Sequence, residues 1–180
     1  MKIFIIFLFI FSFISPAQSS QQKNLNNLFS QLQNINNSKS AALLEKKIWS
    51  IWNEHPNDFK LTEKLEFGTE LMQYGDYNYA LKVFSNVLEN DPNWSEAWNK
   101  RATVYFLMNQ LKKSLDDIDK VLYIEPRHFG ALSGQARIFI KLQEYEKAIK
   151  SIESALKFYP SFKSRELIPE IERLIKEDSI

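Results

Sequence analysis

The fold of this chain is decided by residues 94–130, which read WSEAWNKRATVYFLMNQLKKSLDDIDKVLYIEPRHFG. Apolar residues recur at helical spacing in two segments, and a polar corner at Asn109 and Gln110 separates them. The same pattern returns on either side of this stretch, with even spacing at four sets of positions: Pro92, Pro126 and Pro160; Leu71, Tyr105 and Phe139; Ala80, Ser114 and Ala148; Phe84, Ile118 and Ile152. In each set, the interval between the first two residues equals the interval between the last two. Recurrence at such a fixed interval is typical of a repeat protein, so the sequence predicts a series of helix pairs.

The composition suits a helical array with a well-filled core. Of the 180 residues, 44% are hydrophobic and 14% are aromatic, while four glycines and six prolines are too few for a β-rich or disordered chain. The 23 basic and 22 acidic side chains nearly cancel, so no long-range attraction to nucleic acid or anionic lipid is expected. The absence of cysteine excludes disulfides, thiol chemistry and zinc sites built on cysteine.

Residues 1–17 have the pattern of a secretory signal peptide. Lys2 precedes an apolar run from Ile3 to Phe11, and Ser15 and Ala17 are the small residues that precede a cleavage site. We therefore expect cleavage after Ala17 and export to the periplasm. The apolar run is shorter than the roughly 20 residues of a membrane-spanning helix, and an uncleaved N-terminal membrane anchor is the alternative.

The rest of the chain divides into a lead, four helix pairs and a cap. Residues 18–24 are rich in Gln, Asn and Ser and are expected to form a flexible lead. Residues 25–60 read as a degenerate helix pair that ends near Pro56. Three clear units and a C-terminal capping helix follow, over residues 61–94, 95–128, 129–162 and 163–180. The predicted fold class is therefore all-α, an α-solenoid of antiparallel helix pairs.

These units resemble the tetratricopeptide repeat family, whose pattern is an aromatic residue, Leu-Gly and Tyr, then Ala, an aromatic residue and Pro. The matching positions are Phe67, Gly68, Leu71, Ala80, Phe84 and Pro92; Trp98, Ala102, Tyr105, Ser114, Ile118 and Pro126; Leu132, Ala136, Phe139, Ala148, Ile152 and Pro160. More narrowly, residues 98–102 and 125–132 look like small exported tetratricopeptide proteins of alphaproteobacteria. The resemblance implies a concave groove, lined by the first helix of each unit, that binds a peptide or protein.

Eight residues are candidates for partner binding in this implied groove: Met72, Asn99, Lys100, Thr103, Phe106, Arg137, Ile140 and Lys141. Their mixture of apolar, amide and basic groups suits an extended peptide or a partner helix. The subclass of the family that binds acidic C-terminal tails carries Lys and Asn on its first two first-helices. Of the corresponding residues here, Leu65, Thr69, Asn99 and Thr103, only Asn99 fits that pattern.

No group of residues has the spacing of a catalytic, metal or cofactor site, so the sequence predicts neither an enzyme nor a cofactor. His55 and His128 lie at corners near prolines, without spaced partners, and are expected to be solvated. The four tryptophans lie at helical spacing among apolar neighbours, which favours packing over ligand binding.

Arg101 is a basic residue at a position that is apolar in the first unit, where Phe67 stands. A charge at a packing position requires a partner. We expect an ion pair with Asp119, or alternatively with Asp116, on the second helix of the same unit.

Two functions follow from these features. The first is a non-catalytic scaffold of the bacterial cell envelope that holds a protein or peptide partner in the groove. The second is a structural element that self-associates, with Leu25 and Phe29 docking on a neighbouring copy to give a homo-oligomer. Neither function requires nucleic acid, or a membrane beyond the N-terminal segment.

Overall fold

The computed structural model describes residues 16–35 and 37–178, and this part of the chain is helical without strands. Its elements are α1 (Pro16–Asn34), α2 (Ser38–Asn53), α3 (Phe59–Gln73), α4 (Tyr77–Asn90), α5 (Ser95–Leu107), α6 (Leu111–Ile124), α7 (Phe129–Lys141), α8 (Tyr145–Leu156), a short 3-10 helix (Lys163–Leu167) and α9 (Ile168–Asp178). The architecture is the all-α solenoid that the repeat pattern predicts.

The pairs α3–α4, α5–α6 and α7–α8 are hairpins that end their first helix in the same way. Gly75, Asn109 and Gln143 occupy equivalent positions of the three units and adopt positive φ angles of 84°, 59° and 60°. A left-handed residue of this kind stops a helix and turns the chain back. The corner predicted at Asn109 and Gln110 is therefore a left-handed cap that recurs in every clear unit.

Small residues let the two helices of a hairpin approach closely. A Cβ added at Gly68 of α3 would lie 2.6 Å from the Phe84 ring of α4, so glycine is required there. In the next hairpin, the Ser114 hydroxyl donates a hydrogen bond of 2.7 Å to the Ala102 carbonyl on α5. These contacts explain why small residues recur with the repeat.

The last helix caps the stack. α9 lays Ile171 and Ile175 on the apolar side of α8, where they join a cluster with Ala148 and Ile152. Pro169 lies in the first turn of α9. Proline is tolerated there because the backbone N–H groups of the first turn make no hydrogen bond within the helix. The capping helix predicted for residues 163–180 is thus formed by α9, which follows the short 3-10 helix.

The N-terminal hairpin α1–α2 leaves the line of the stack. Its apolar residues form one buried cluster with the start of α7 and the end of α8: Leu25, Phe29, Leu32, Ala41, Leu44, Ile48, Trp52, Phe129, Leu132, Ala155 and Tyr159. Among the described residues, neither α3 nor α4 contributes to this cluster. The degenerate pair therefore does not precede the first clear unit as another layer of the solenoid; it folds back across the second and third units.

Polar contacts fasten this hairpin at several points. The Trp94 indole N–H donates to the Trp52 carbonyl at 2.9 Å, and the Arg127 guanidinium lies 4.5 Å from the centre of the Phe29 ring. The Gln33 amide donates to the Lys157 carbonyl at 2.9 Å. The hairpin thus behaves as an integral part of the folded domain.

The prediction of a flexible lead over residues 18–24 is wrong, because these residues belong to α1. The Gln21 amide donates to the carbonyls of Ile51 and Glu54 at 3.0 and 2.8 Å and so satisfies the end of α2. A polar segment is ordered here by capping another helix, an effect that composition does not show.

The predicted signal peptide lies outside the described residues, apart from Pro16 and Ala17 at the start of α1. Within residues 16–35 and 37–178, no helix combines the length and the hydropathy that crossing a bilayer would require.

Candidate functional site

The concave face of the stack holds a cavity of about 390 Å³. α3 contributes Met72 to its lining, α5 contributes Asn99, Thr103 and Phe106, and α7 contributes Arg137. These are the first helices of the three clear units, so the helix order of the solenoid brings their side chains to one surface. We refer to this cavity as the groove.

The N-terminal hairpin supplies one wall of the groove. Glu45 and Trp49 of α2 line it, beside Phe162 from the end of the third unit. Trp49 lies directly on Gly130 at the start of α7, where an added Cβ would come within 2.4 Å of the indole. Any larger residue at 130 would displace the Trp49 indole, so this glycine allows α2 to pack closely on the start of α7. We call this end of the groove, where Trp49 meets Gly130, the closed end.

The structure places six of the eight predicted residues in the groove lining, namely Met72, Asn99, Lys100, Thr103, Phe106 and Arg137. Ile140 instead packs against the cluster formed by α8 and α9. Lys141 lies outside the lining, with its ammonium 5.9 Å from the centre of the Phe106 ring. The binding role of all eight residues stays a prediction.

A buried carboxylate, which sequence reasoning missed, lies under the groove. Glu96 is fully buried, and its Oε2 atom accepts hydrogen bonds from His128 Nε2 at 3.0 Å and from Asn99 Nδ2 at 3.1 Å. Its other oxygen lies 3.1 Å from the Lys100 ammonium. Burial by itself raises the pKa of the Glu96 carboxyl, but the His128 hydrogen bond and the positive charge of Lys100 outweigh it, so the pKa lies below its ordinary value.

His128 is buried, so the expectation of a solvated corner residue is wrong. Its Nδ1 atom accepts the Ala131 N–H at 3.1 Å and so caps α7, which leaves the proton on Nε2 for the bond to Glu96. Its ring also stacks on the Trp52 ring with 4.0 Å between centroids. The histidine therefore connects the N-terminal hairpin, the start of α7 and the carboxylate under the groove.

His55 is also engaged, at the corner before α3. Its Nε2 atom contacts Asp91 Oδ2 at 2.9 Å, and its Nδ1 atom accepts the Asp58 N–H at 2.9 Å. Both histidines thus join neighbouring units, and the expected solvation is wrong for each.

Arg101 pairs with Asp117, and the predicted pair with Asp119 is wrong. The guanidinium Nε and Nη2 atoms donate to the two Asp117 oxygens, each at 2.8 Å, and Nη1 donates to Ser85 on α4 at 3.1 Å. On α6, residue 117 shares the inward face with Ser114 and Ile118, whereas Asp119 is rotated away and exposed.

We expect a double-mutant cycle with Arg101→Met and Asp117→Asn to give a coupling free energy of about 1–2 kcal/mol, because the two side chains are in direct, largely buried contact. Urea unfolding of the four proteins measures it. The cycle with Asp119→Asn is the matched control and should give a coupling near zero. Equal coupling in the two cycles would contradict the pairing in the structure.

Glu96 departs from the repeat pattern in a way that the sequence does show. The equivalent positions of the neighbouring units hold Thr62 and Gly130, so an acidic residue stands where those units have small ones. Its partner His128 departs from the pattern too, because the equivalent positions of the neighbouring units hold the aromatic residues Trp94 and Phe162. The sequence does not show that these two polar residues contact each other, since they do not occupy equivalent positions of the repeat.

No group of three His, Asp or Glu side chains converges as metal ligands within residues 16–35 and 37–178. The arrangement instead provides a fixed, partly apolar surface with a few charged groups. Stacked antiparallel helix pairs that form such a concave face define an α-solenoid, a class of repeat scaffolds.

The sequence profile of the tetratricopeptide repeat family matches residues 95–128 and 130–162. Over 145 residues the chain is 33% identical to a TPR repeat-containing protein of Rhizobium etli, a match that covers 81% of this chain and 71% of that protein. The chain therefore belongs to the tetratricopeptide repeat family.

More distant similarities agree with this fold. The chain is 24% identical to the Hsp70-Hsp90 organizing protein of Triticum aestivum over 64% of its own length, which is 19% of the wheat protein. The first TPR domain of Spaghetti (RPAP3), solved with the HSP90 peptide SRMEEVD, has a TM-score of 0.63 and 21% identity, over 67% of this chain and 96% of that one. The Sgt2 TPR domain of Aspergillus fumigatus has a TM-score of 0.62 and 17% identity, over 67% and 82%.

Proposed function

We propose that the protein is a non-catalytic scaffold that holds an extended segment of a partner protein in the groove. The observation that carries this proposal is the cavity of about 390 Å³ on the concave face, whose volume falls within the range of ligand pockets. Its floor includes Ala102, Ile118 and Ile138, while Thr103 and Arg137 lie exposed at its rim. Apolar contact area beside a few polar groups is what a peptide site requires.

An extended segment fits this groove better than a helix does. A helix with its side chains is about 10–12 Å wide, whereas an extended chain advances about 3.3–3.6 Å per residue and is much narrower. Glu45 and Trp49 of α2 line the groove together with Phe162, so the N-terminal hairpin takes up part of the surface on which a helix would have to lie.

The tetratricopeptide fold supports the same proposal, since it is a repeat scaffold. Two similar solved domains are complexes: the RPAP3 domain is bound to an HSP90 peptide, and the yeast Sti1 TPR2B domain, at a TM-score of 0.57, is in complex with pHsp70. Asn99 is bonded to Glu96 and Lys100 is paired with it, so two polar groups of this groove are already engaged within the chain. The ligand is therefore expected to differ from an acidic tail held by amide and lysine groups.

We place this function in the bacterial cell envelope because of the N-terminal sequence pattern. The basic start, the apolar run and the small residues up to Ala17 support export to the periplasm. An uncleaved anchor would place the same groove at the membrane surface.

Site-specific photo-crosslinking tests the proposed function. A photoreactive residue at Thr103, which is exposed in the groove, should capture a partner in native cells, whereas one at Glu153 on the outside of α8 should not. Gly134→Leu should abolish the capture, because a leucine side chain at this position fills the groove. The backbone has room for the substitution, since a Cβ at Gly134 makes only an ordinary contact of 3.7 Å with Ile118. Equal capture at both positions, or capture that survives Gly134→Leu, would exclude the groove as the binding face.

Self-association through the N-terminal helix is not favoured. The residues expected to dock on a neighbouring copy, Leu25 and Phe29, are 4% and 3% exposed and pack inside their own chain. That route to a homo-oligomer is therefore corrected by the structure, because the two side chains are already covered by α2, α7 and α8.

A further inference from the structure

We propose that the groove selects a peptide segment with a cationic group at its closed end and an anionic group about three residues further along. This inference rests on the proposed function, since it names the class of segment that the groove binds. It follows from the charges that remain unpaired in the groove lining and from the number of residues on α7 between Arg137 and the Trp49 contact at Gly130, beside which Glu45 lies.

Three charged side chains line the groove: Glu45, Lys100 and Arg137. Lys100 is neutralised by the buried Glu96, 3.1 Å away. Within the described part of the chain, neither Glu45 nor Arg137 has an oppositely charged side chain within ion-pair distance. The groove therefore presents one negative and one positive group to a ligand.

Glu45 is held at the closed end by neutral donors only. Its Oε2 atom accepts the Tyr159 hydroxyl at 3.0 Å, and its Oε1 atom lies 3.4 Å from the Trp49 indole nitrogen. Burial and the negative charge of Glu45 raise the pKa of Tyr159 to about 12, so the tyrosine remains a neutral donor. A half-buried carboxylate that is fixed but not neutralised favours a cation beside it.

Arg137 offers the complementary charge towards the open end. It is exposed on α7 and makes no hydrogen bond or ion pair with any described residue. It lies about two helical turns beyond Gly130, the contact point of Trp49, so a helical rise of about 1.5 Å per residue places it about 10 Å from the closed end. An extended peptide covers about 10 Å in three residues.

The surface between the two charges is apolar. Ala102, Ile118 and Ile138 form the floor, and Phe106 lies at the side. A matching peptide segment therefore carries a cationic group beside Glu45, then two apolar residues, and then an anionic group beside Arg137. The cation is either the N-terminal amine of a chain or the side chain of Lys or Arg, since both present an ammonium or guanidinium group to Glu45.

Titration calorimetry with the intact chain and short synthetic peptides tests this class. The forward peptide is Lys-Leu-Ala-Asp with both ends blocked, and the controls are its reverse, Asp-Ala-Leu-Lys, and the uncharged Gln-Leu-Ala-Asn. A third peptide, Ala-Leu-Ala-Asp with a free amine, separates an N-terminal amine from a basic side chain. The forward peptide or the free-amine peptide should bind at least about tenfold more tightly than the uncharged one, which corresponds to one well-placed charge contact.

The variants assign the effect to the two side chains. Glu45→Gln keeps an acceptor for the Tyr159 hydroxyl but removes the negative charge. The variant should bind the forward peptide about tenfold more weakly than the native protein does, and the uncharged peptide with unchanged affinity. Arg137→Gln should behave in the same way, and Glu153→Gln, at an exposed position outside the groove, is the matched control. Unchanged thermal unfolding of each variant shows that the fold is intact.

Two results would overturn the inference. One is equal affinity for the charged, reversed and uncharged peptides; if Gly134→Leu still blocks them, the groove binds peptides without charge selection and the proposed function stands. The other is no binding of any peptide at millimolar concentration. The proposed function is judged separately, by whether crosslinking at Thr103 captures a partner that the Glu153 position does not capture and that Gly134→Leu abolishes.

Discussion

Replacing Trp52 with alanine is expected to lower the free energy of unfolding by about 4 kcal/mol, the cost of removing a large buried ring. Trp52 is 4% exposed and lies where the N-terminal hairpin meets the repeats. Its ring stacks on His128 and packs against Phe29 and Phe129, with centroids 4.0, 5.9 and 5.0 Å away. Alanine would leave a cavity at this junction.

Urea unfolding monitored by circular dichroism measures the loss. Tyr123→Ala is the matched control, because that aromatic ring is 87% exposed on α6, and it should cost no more than about 0.5 kcal/mol. If the hairpin is an integral part of the domain, the Trp52→Ala protein unfolds in a single transition at lower urea. Similar losses for the two variants would contradict the packing of α2 on the repeats.

Glu96→Gln is expected to cost about 2–3 kcal/mol at pH 7 and progressively less in acid. Glutamine keeps an acceptor for His128, but it removes the buried charge that Lys100 and Asn99 face. The loss is therefore mainly electrostatic, and the shape of the side chain is preserved.

The pH dependence follows from the direction of the pKa shift. The pKa of Glu96 is lower in the folded protein than in the unfolded chain, where a glutamate titrates near about 4.3. The ionised carboxylate therefore stabilises the fold fully above about pH 5, and this contribution is lost as the pH falls through the folded-state pKa. The difference in stability between the native protein and Glu96→Gln should shrink over that acidic range.

Urea unfolding at intervals between about pH 7 and pH 3.5 provides the comparison. Glu153→Gln, at an exposed residue of α8, should track the native protein throughout. A difference for Glu96→Gln that stayed constant down to the lowest pH would show that the Glu96 charge does not contribute to stability.

Much of the solenoid could be predicted because its information is local and periodic. Residues at equivalent positions of successive units, such as Gly75 and Asn109, face the same packing problem and adopt the same left-handed corner. Six of the eight candidate groove residues lie in the cavity lining for the same reason, since the first helix of each unit presents the same face. The helical period and the repeat period are together sufficient to predict the corners and most of the groove residues.

The errors concern contacts that these periods do not encode. The predicted partner of Arg101 is Asp119, although the inward face of α6 passes through residue 117. The predicted solvation of His128 fails because its partner Glu96 lies at the start of α5, on a different helix pair from the one that His128 caps. In both cases the residue type signals that a partner is needed, but the rotation of one helix against another determines which partner it is.

The sequence by itself determined the helix pairs, their corners and the concave face that they form, because these depend on spacings of a few residues that recur in every unit. Only the tertiary structure decided where α1–α2 lies and hence that the groove is closed at one end. The contacts responsible join residues far apart in the chain: 101 residues separate Asn26 from Arg127, and 114 separate Glu45 from Tyr159. An apolar helix face specifies that it must be buried, but the surface that buries it is chosen by the shape and charge of the whole fold.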